Sequence, residues 1–324
     1  MQDIIEIDGS EGEGGGQVIR TALTLSSITG KPFKIINIRA KRPNPGLQPQ
    51  HLMAAKAVRN VCRGTLIGAE LGSKELSFTP GEIIGGKYDF NIGTAGSVTL
   101  VAQSVIPILL FAKKESIIKI IGGTHVMKSP SYDYFEEIFI KAIKEFGVEI
   151  ETKLFRSGYY PKGGGEIEIK IKPSTLAGRT RWFNNEQTKV IIRVGSLPEV
   201  IAIREKKIFM ENEISYVKII QEQTPSPGNA VTACSGFRGA YVLGERGKKS
   251  EEVGQEAYEN LMKETGSDVD LHLADQLLIY GALASESTSY KTSEITEHTK
   301  TNIEIIKKFL DKKIEVIDNQ IEIF

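Results

Sequence analysis

Residues whose types could bind a phosphate and a metal ion are concentrated between Asp8 and Arg20, where five of thirteen residues are glycine. Glycine allows the backbone to turn with positive φ and to come close to a ligand. The free N–H groups at the start of a following helix favour an anion. Carboxylates at Glu11 and Glu13 and the guanidinium of Arg20 would complete a metal–phosphate site. The segment has neither Walker A nor dinucleotide-fingerprint spacing, so a glycine-rich turn with solvated acids is the alternative.

Four histidines are available as nucleophiles or bases, namely His51, His125, His272 and His298. Thr296 can cap a helix that begins beside His298, which would place this imidazole near helix N–H groups that favour a phosphate. A neutral imidazole is a nucleophile near pH 7. On these residues alone, an exposed histidine without a catalytic role is the alternative.

The other polar clusters give weaker indications of chemistry. A short basic loop with Arg39 and Arg42 could hold phosphates or could be a solvated turn. Asp275 begins an otherwise apolar helix, where an acid is more often a cap than a catalyst. The chain lacks a Gly-x-Ser-x-Gly nucleophile elbow, and Cys62 and Cys234 match no metal-binding spacing.

The elements that must position these residues recur in the order strand, helix, strand, helix, strand, strand. The first copy is predicted as strands 4–7, 33–39, 69–71 and 75–78 with helices 17–28 and 49–62; the second as strands 88–92, 117–122, 148–154 and 165–172 with helices 98–111 and 134–146; the third as helices 271–283 and 297–310 with strands 287–290, 313–317 and 320–324. Self-similar units of this kind indicate packing around a shared axis.

Residues 180–268 do not fit the repeat. They contain strands predicted at 190–194 and 231–235 and a charged helix at 249–264. We therefore expect an α+β protein with a large domain over 1–179 and 269–324, and an inserted small α+β domain over 180–268.

Composition limits the function classes. In 324 residues, 41 basic side chains balance 41 acidic ones, which excludes a general basic coat and restricts any nucleic-acid contact to a local patch or an end. No apolar run reaches the ~18 residues of a membrane span, so no membrane partner is expected. The acidic start indicates no secretion signal, and the two cysteines fit a reducing compartment, so we expect a cytoplasmic protein.

The motifs together resemble the RNA 3′-terminal phosphate cyclase family over nearly the whole chain. The matching residues are 8–9, 12–17, 20, 38–40, 45–47, 50–52, 69–73, 93–97, 159–165, 244–247 and 273–277. The resemblance implies three units similar to the C-terminal domain of bacterial translation initiation factor 3, plus a thioredoxin-like insert. It implies a ligase that uses ATP to adenylate a histidine and then an RNA 3′-terminal phosphate, which closes to a 2′,3′-cyclic phosphate.

The resemblance also implies a role for each matching residue. By motif position, His298 is the nucleophile, placed through the following Thr-Asn and its distance from Leu-Ala-Asp-Gln. The other implied roles are Glu13 as ligand of Mg²⁺ or Mn²⁺; Gln17, Arg20 and Gln103 at the α-phosphate and ribose; Arg39, Arg42 and His51 at the RNA phosphate; Asp275 and Gln276 as partners that orient His298 or the nucleotide; and Pro130 and His272 on the two faces of adenine. His272 stands where the family usually has a larger aromatic ring.

Two other functions are considered beside the enzyme. A non-catalytic cyclase-like ribosome-assembly protein would lack the nucleophile and the glutamate–arginine site, whereas His298, Glu13 and Arg20 are all present. An enolpyruvyl transferase would be a larger chain with two lobes of three units each. The RNA partner is expected to carry a 3′-terminal phosphate, and the oligomeric state is left open.

Overall fold

A computed structural model describes residues 4–12 and 14–324, and it begins with a sheet of four strands connected by two helices. The elements are β1 (Ile5–Asp8), α1 (Gly16–Thr29), β2 (Phe33–Ile36), α2 (Pro49–Val61), β3 (Thr65–Ile67) and β4 (Leu76–Thr79). The strand order is β1-β2-β4-β3, with β1 parallel to β2 and the other pairs antiparallel. A parallel pair needs a crossover connection, here α1, so the glycine segment lies at the carboxyl end of β1.

The second unit repeats this arrangement. Its elements are β5 (Lys87–Asn91), α3 (Val98–Leu109), β6 (Ser116–Gly122), a helix made of α4 (Tyr132–Tyr134), a π-helical segment (Phe135–Ile140) and α5 (Lys141–Lys144), then β7 (Ile150–Arg156) and β8 (Gly165–Ile171). The order β5-β6-β8-β7 and the strand directions match those of the first sheet.

The next stretch forms a sheet of its own. It contains β9 (Lys189–Gly195), α6 (Val200–Glu211), β10 (Tyr216–Glu222), β11 (Gly228–Ser235), β12 (Arg238–Leu243) and α7 (Ser250–Lys263). The strand order is β10-β9-β11-β12. Most buried apolar side chains between Val190 and Leu261 form a hydrophobic cluster distinct from the main one, to which Cys234 and Phe237 belong.

The third unit closes the chain. It contains α8 (Leu271–Leu283), β13 (Thr288–Lys291), α9 (Glu297–Phe309), β14 (Ile314–Ile317) and β15 (Gln320–Ile323). Its sheet order, β13-β15-β14, contains no counterpart of β1 among the described strands. Residues 176–179 lie along β13 instead, with the Ser289 N–H donating to the Arg179 carbonyl at 2.9 Å.

Helices of all three units share the main core. Buried side chains of α1, α2, α3, α8 and α9 belong to one hydrophobic cluster, and α1 packs against α2, α3 and α9. Residues far apart in sequence are therefore neighbours on the surface of this helix cluster. Within 4–12 and 14–324, no helix has the length and apolar content needed to cross a membrane.

The predicted α+β class is confirmed, with corrections to several elements. The strand predicted at 33–39 ends at Ile36, because Asn37 and Arg39 both have a φ of 54° and cannot continue it. The strand predicted at 69–71 is wrong: that stretch is a turn between Gly68 and Gly72, and β3 comes before it. Helix α6 and strands β10 and β12 were not predicted. The domain boundary at 180–268 stays a prediction.

Candidate functional site

A single cleft brings together all the predicted site residues that the structure describes. Its lining includes Gln17, Arg20, Arg39, Arg42, His51, Gln103, Pro130, His272, Asp275, Gln276 and His298. The cleft has a volume of about 520 Å³, which lies within the range typical of a pocket for a small ligand. Glu13, the predicted metal ligand, lies outside the described residues.

His298 stands at the start of α9, as the predicted cap requires. The Thr296 side-chain oxygen accepts a hydrogen bond from the Thr299 N–H at 3.1 Å, which starts the helix and places His298 in its first turn. The His298 side chain is exposed to the cleft, and its Nδ1 lies 2.6 Å from Oε1 of Gln17. A neutral imidazole that donates from Nδ1 keeps its lone pair on Nε2. The contact therefore favours the tautomer in which Nε2 is the nucleophilic atom.

The Gln17 amide is held from its other side by α8. Its Nε2 donates to Oδ2 of Asp275 at 3.3 Å, so the amide orientation that places Oε1 toward the histidine is fixed. A second connection lies one turn further along the helices, where Thr21 Oγ1 donates to Oδ1 of Asn302 at 2.7 Å and Asn302 Nδ2 donates to the Asp275 carbonyl at 2.8 Å. These bonds join α1, α8 and α9 beside the cleft.

Two acids belong to the start of α8, the buried Asp270 and the half-buried Asp275. Asp270 caps the helix by accepting from the backbone N–H of His272 and Leu273, each at 2.9 Å, and it also accepts from the Gly239 N–H at 2.9 Å. Burial raises the pKa of Asp270 to about 6 and that of Asp275 to about 6, against the opposing effect of their hydrogen bonds and nearby cations. Asp270 is therefore a structural cap that ties α8 to β12, whereas Asp275 borders the cleft.

The two residues predicted to enclose adenine lie on the same cleft but on different units. Pro130 is buried, and its carbonyl accepts from Thr99 Oγ1 at 2.8 Å, which anchors it to α3. His272 is exposed, and its ring centroid lies 6.2 Å from that of Tyr241 on β12. The predicted stacking residue thus has a larger aromatic ring next to it, contributed by the 189–263 segment.

Gln103 and Gln276 are joined by a side-chain hydrogen bond. Gln103 Nε2 donates to Oε1 of Gln276 at 2.8 Å, which joins α3 to α8. Both amides keep further polar atoms for a ligand, because each amide can make several hydrogen bonds.

The basic side of the cleft is built from the turn after β2 and the start of α2. Arg39 Nη1 donates to the carbonyls of Asn44 at 2.5 Å and Gly46 at 3.1 Å, so part of its guanidinium holds its own turn. Burial, reinforced by Arg42, lowers the pKa of Arg39. The remaining donors of Arg39 lie in the cleft beside Arg42.

His51 is a neutral hydrogen-bonding group and not a cation. Pro49 opens α2, and the Gln48 N–H donates to Nδ1 of His51 at 3.2 Å in a capping box. Burial, then the charges of Arg20 and Arg39, lowers the pKa of His51 to about 3. The ring packs so closely on Gly16 that a Cβ added there would lie 2.2 Å from Nε2. Only glycine fits position 16, and the neutral Nε2–H is left as a donor at the cleft.

The described residues offer a divalent cation one carboxylate. Asp275 is the acid among the described lining residues, and no group of three His, Cys, Asp or Glu side chains in 4–12 and 14–324 could hold a metal. Mg²⁺ is usually bound through one or two carboxylates together with substrate phosphates. The described donors therefore fit a cation that is held jointly with the phosphates of a ligand.

Several lining residues were not predicted from the sequence. They are Pro43, Gln48, Gln50, Leu100, Lys128, Ser129 and Tyr241, whereas Gly15 and Gly16 belong to the predicted glycine loop. Lys128 could have been identified from the sequence, because it is two residues before Pro130, a predicted site residue. Tyr241 gave no signal, because its position depends on how β12 packs against α8.

Comparisons with known proteins agree on one family. A family model described as RNA 3′-terminal phosphate cyclase matches residues 11–316. Curated relatives include RNA 3′-terminal phosphate cyclases from Archaeoglobus fulgidus, 42% identical over 98% of this chain and 99% of the relative, and from Saccharolobus solfataricus, 44% identical over 97% and 96%. Among solved structures, the enolpyruvyl transferase NikO from Streptomyces tendae covers 100% of this chain and 48% of its own at a TM-score of 0.44 and 8% identity, too low to carry an argument.

Proposed function

Since the chain belongs to the RNA 3′-terminal phosphate cyclase family, we propose that it uses ATP to convert an RNA 3′-terminal phosphate into a 2′,3′-cyclic phosphodiester. The observation that carries the mechanism is the contact between His298 Nδ1 and Gln17 Oε1, 2.6 Å long. It favours the tautomer that carries its lone pair on Nε2, in a cleft lined by cations and amides.

In the first step, His298 Nε2 attacks the α-phosphorus of ATP. A nitrogen–phosphorus bond forms, the bond to the β-phosphate oxygen breaks, and pyrophosphate leaves. Arg20 borders the attack site, and Gln17 keeps the ring oriented throughout. In this proposal Gln17 positions the nucleophile, a role that differs from the direct phosphate contact implied by the family resemblance.

In the second step, an oxygen of the RNA 3′-phosphate attacks the adenylyl phosphorus. The nitrogen–phosphorus bond breaks, and its electron pair returns to His298. The adjacent 2′-hydroxyl of the RNA then attacks the activated terminal phosphate, loses its proton to solvent, and displaces AMP. Arg39, Arg42 and the neutral Nε2–H of His51 are donors in the lining of the cleft that suit the RNA phosphate.

A divalent cation is proposed to join the site with the nucleotide. Glu13, between two described glycine-loop residues, and Asp275 are the carboxylates that would hold it. When bound, such a cation offsets negative charge on the phosphates. We also propose the division into 1–179 with 269–324 and an insert at 180–268, which the separate hydrophobic cluster between Val190 and Leu261 supports.

Labelled ATP tests the nucleophile. Incubation with α-labelled ATP and Mg²⁺ should leave acid-labile, base-stable label on the chain, as expected of a phosphoramidate. His298→Asn, which keeps a polar side chain of similar size at an exposed position, should abolish the label without changing the unfolding midpoint. Full labelling of this variant would overturn the assignment of His298 as the nucleophile. An unlabelled wild type would instead favour the non-catalytic, cyclase-like ribosome-assembly protein.

The rate of transfer to RNA distinguishes residues proposed to bind RNA from those proposed to bind ATP. Arg42→Ala should slow transfer from the protein adenylate to RNA more than it slows formation of that adenylate, because Arg42 belongs to the group proposed to bind the RNA phosphate. Equal losses in both steps would move Arg42 to the nucleotide.

A further inference from the structure

The turn between β7 and β8 carries the most exposed of the large hydrophobic side chains in the described part of the chain. Tyr160 is 78% exposed, compared with 69% for Ile67. Pro161 and Lys162, which follow it, are also exposed. The reaction steps above use none of these side chains. A single exposed apolar side chain is ordinary on a protein surface, so a function for Tyr160 has to come from its support and its charged surroundings.

The base of this turn is firmly held. The Gly163 N–H donates to the Tyr159 carbonyl at 2.8 Å and closes the turn. Tyr159 itself is buried and its ring stacks on that of His125 at a centroid distance of 5.4 Å. The Lys162 N–H donates to Ser226 Oγ at 3.1 Å. The Tyr160 ring therefore projects from a fixed support.

One side of the turn leads directly to the cleft through the loop after β6. The Gly158 carbonyl accepts from the Thr124 N–H at 2.9 Å and from the His125 N–H at 3.2 Å. Three residues further on, Lys128 is exposed and lines the cleft beside Pro130.

The other side of the turn reaches the cleft through the glycine loop before α3. Gly163 lies so close to this loop that an added Cβ would be 2.8 Å from Cα of Ala95. The same loop donates from the Ser97 N–H to Oε1 of Gln50 at 3.2 Å, and Gln50 lines the cleft on the side of Arg39 and His51. The turn thus stands at the rim of the cleft, between Lys128 and Gln50.

The charges at this rim suit a polyanion. Lys162, within the turn, and Lys128, in the loop after β6, are both exposed. Exposed Arg156 enters the turn, with its Nε donating to the Gly164 carbonyl at 2.7 Å. In a chain whose charges sum to zero, basic side chains beside an exposed aromatic ring form the combination that single-stranded nucleic acid recognises, through phosphates and stacked bases.

We propose that residues 159–163 bind the nucleotides that precede the 3′-terminal phosphate of a single-stranded RNA. A base stacks on Tyr160, and Lys162 contacts a backbone phosphate. Stacking on an aromatic face accepts any base, so this site adds affinity without sequence preference. The inference rests on the proposed function, because the RNA end in the cleft fixes which nucleotides reach the turn.

The test compares a long and a short RNA. Binding of a fluorescent ten-nucleotide RNA with a 3′-phosphate is measured by anisotropy, beside binding of a dinucleotide with the same end by competition. Tyr160→Ala should weaken binding of the ten-nucleotide RNA about tenfold, which equals about 1.4 kcal/mol and lies within the range for one stacked base. Binding of the dinucleotide and labelling by ATP should be unchanged. Lys162→Ala should lower the slope of log affinity against log salt by about 0.7, the value for one phosphate of a single strand.

A matched control comes from β10, which contributes no residue to the described lining of the cleft. Tyr216→Ala removes a ring that is 54% exposed at the start of the edge strand β10, and it should leave both affinities unchanged. The proposal is overturned if Tyr160→Ala leaves binding of the ten-nucleotide RNA unchanged, or weakens both RNAs equally. The proposed function fails separately, if the wild type binds these RNAs but forms neither protein adenylate nor cyclic phosphate.

Discussion

Replacing Gln17 by methionine removes the amide that joins His298 to Asp275 while keeping the length of the side chain. In the native site, Oε1 lies 2.6 Å from His298 Nδ1, and Nε2 donates to the Asp275 carboxylate at 3.3 Å. A hydrogen bond with a charged partner contributes about 1.5–3 kcal/mol. If orientation of the nucleophile is lost to that extent, the adenylation rate falls about 10- to 150-fold.

Single-turnover labelling at several ATP concentrations measures this loss. We expect the maximal rate of adenylate formation to fall in Gln17→Met, with little change in the ATP concentration that gives half of it, because Gln17 acts on His298. Gln17→Glu adds a second test. Its carboxylate can still accept from Nδ1 but repels the charge of Asp275, so its activity relative to wild type should be higher at pH 6 than at pH 8.

The outcome that refutes this reasoning is specific. A wild-type maximal rate in Gln17→Met would show that the hydrogen bond does not orient His298. A raised ATP requirement with an unchanged maximal rate would assign Gln17 to the nucleotide, as the family resemblance implies.

Three further predictions concern buried charge and the cation. Asp133 is buried, and His125 and the bidentate partner Arg193 lower its pKa to about 2 against the effect of burial. Arg193→Met removes that partner, so urea denaturation should show a loss of about 3–5 kcal/mol in the free energy of unfolding. Arg204→Met at the surface should change the free energy of unfolding little, and equal losses in the two variants would contradict the prediction. Burial raises the pKa of Asp275 from 3.8 to about 6, so the folded state binds this proton more tightly than the unfolded state does. The stability of wild type relative to Asp275→Asn should therefore fall as the pH rises from about 4 to about 6 and then stay level. A stability difference that does not change with pH would contradict this prediction. Glu13→Ala should raise the Mg²⁺ or Mn²⁺ concentration needed for half-maximal adenylation, and an unchanged titration rejects its role as a ligand.

Much of the fold was predictable because the helices and strands of the repeat follow from apolar spacing and helix caps that are local in sequence. The helix predicted at 271–283 matches α8, whose apolar residues and cap at Asp270 are adjacent in sequence. The predicted Thr296 cap is confirmed at α9. Errors arose where turn geometry decides, as at Asn37 and Arg39, whose left-handed conformation ends β2 early.

The family assignment is confirmed by the comparisons, and the described site residues do meet in one cleft. Their partners could not be predicted, since a motif does not say which amide contacts which ring. The Gln17 amide between His298 and Asp275, the neutral state of His51 and the proximity of Tyr241 to His272 all depend on packing between separate units. The roles themselves remain predictions.

The pairing of α1 with α9 has a consequence for synthesis of the protein. Gln17 and His298 are 281 residues apart, so at about 5–20 residues per second a ribosome needs about 15–55 s between them. During that interval the nascent chain can contain the folded glycine segment and the cations of the first unit but no nucleophile. Adenylation is therefore expected only from chains whose synthesis is nearly complete, and ribosome-bound chains that stop before α9 should remain unlabelled by ATP.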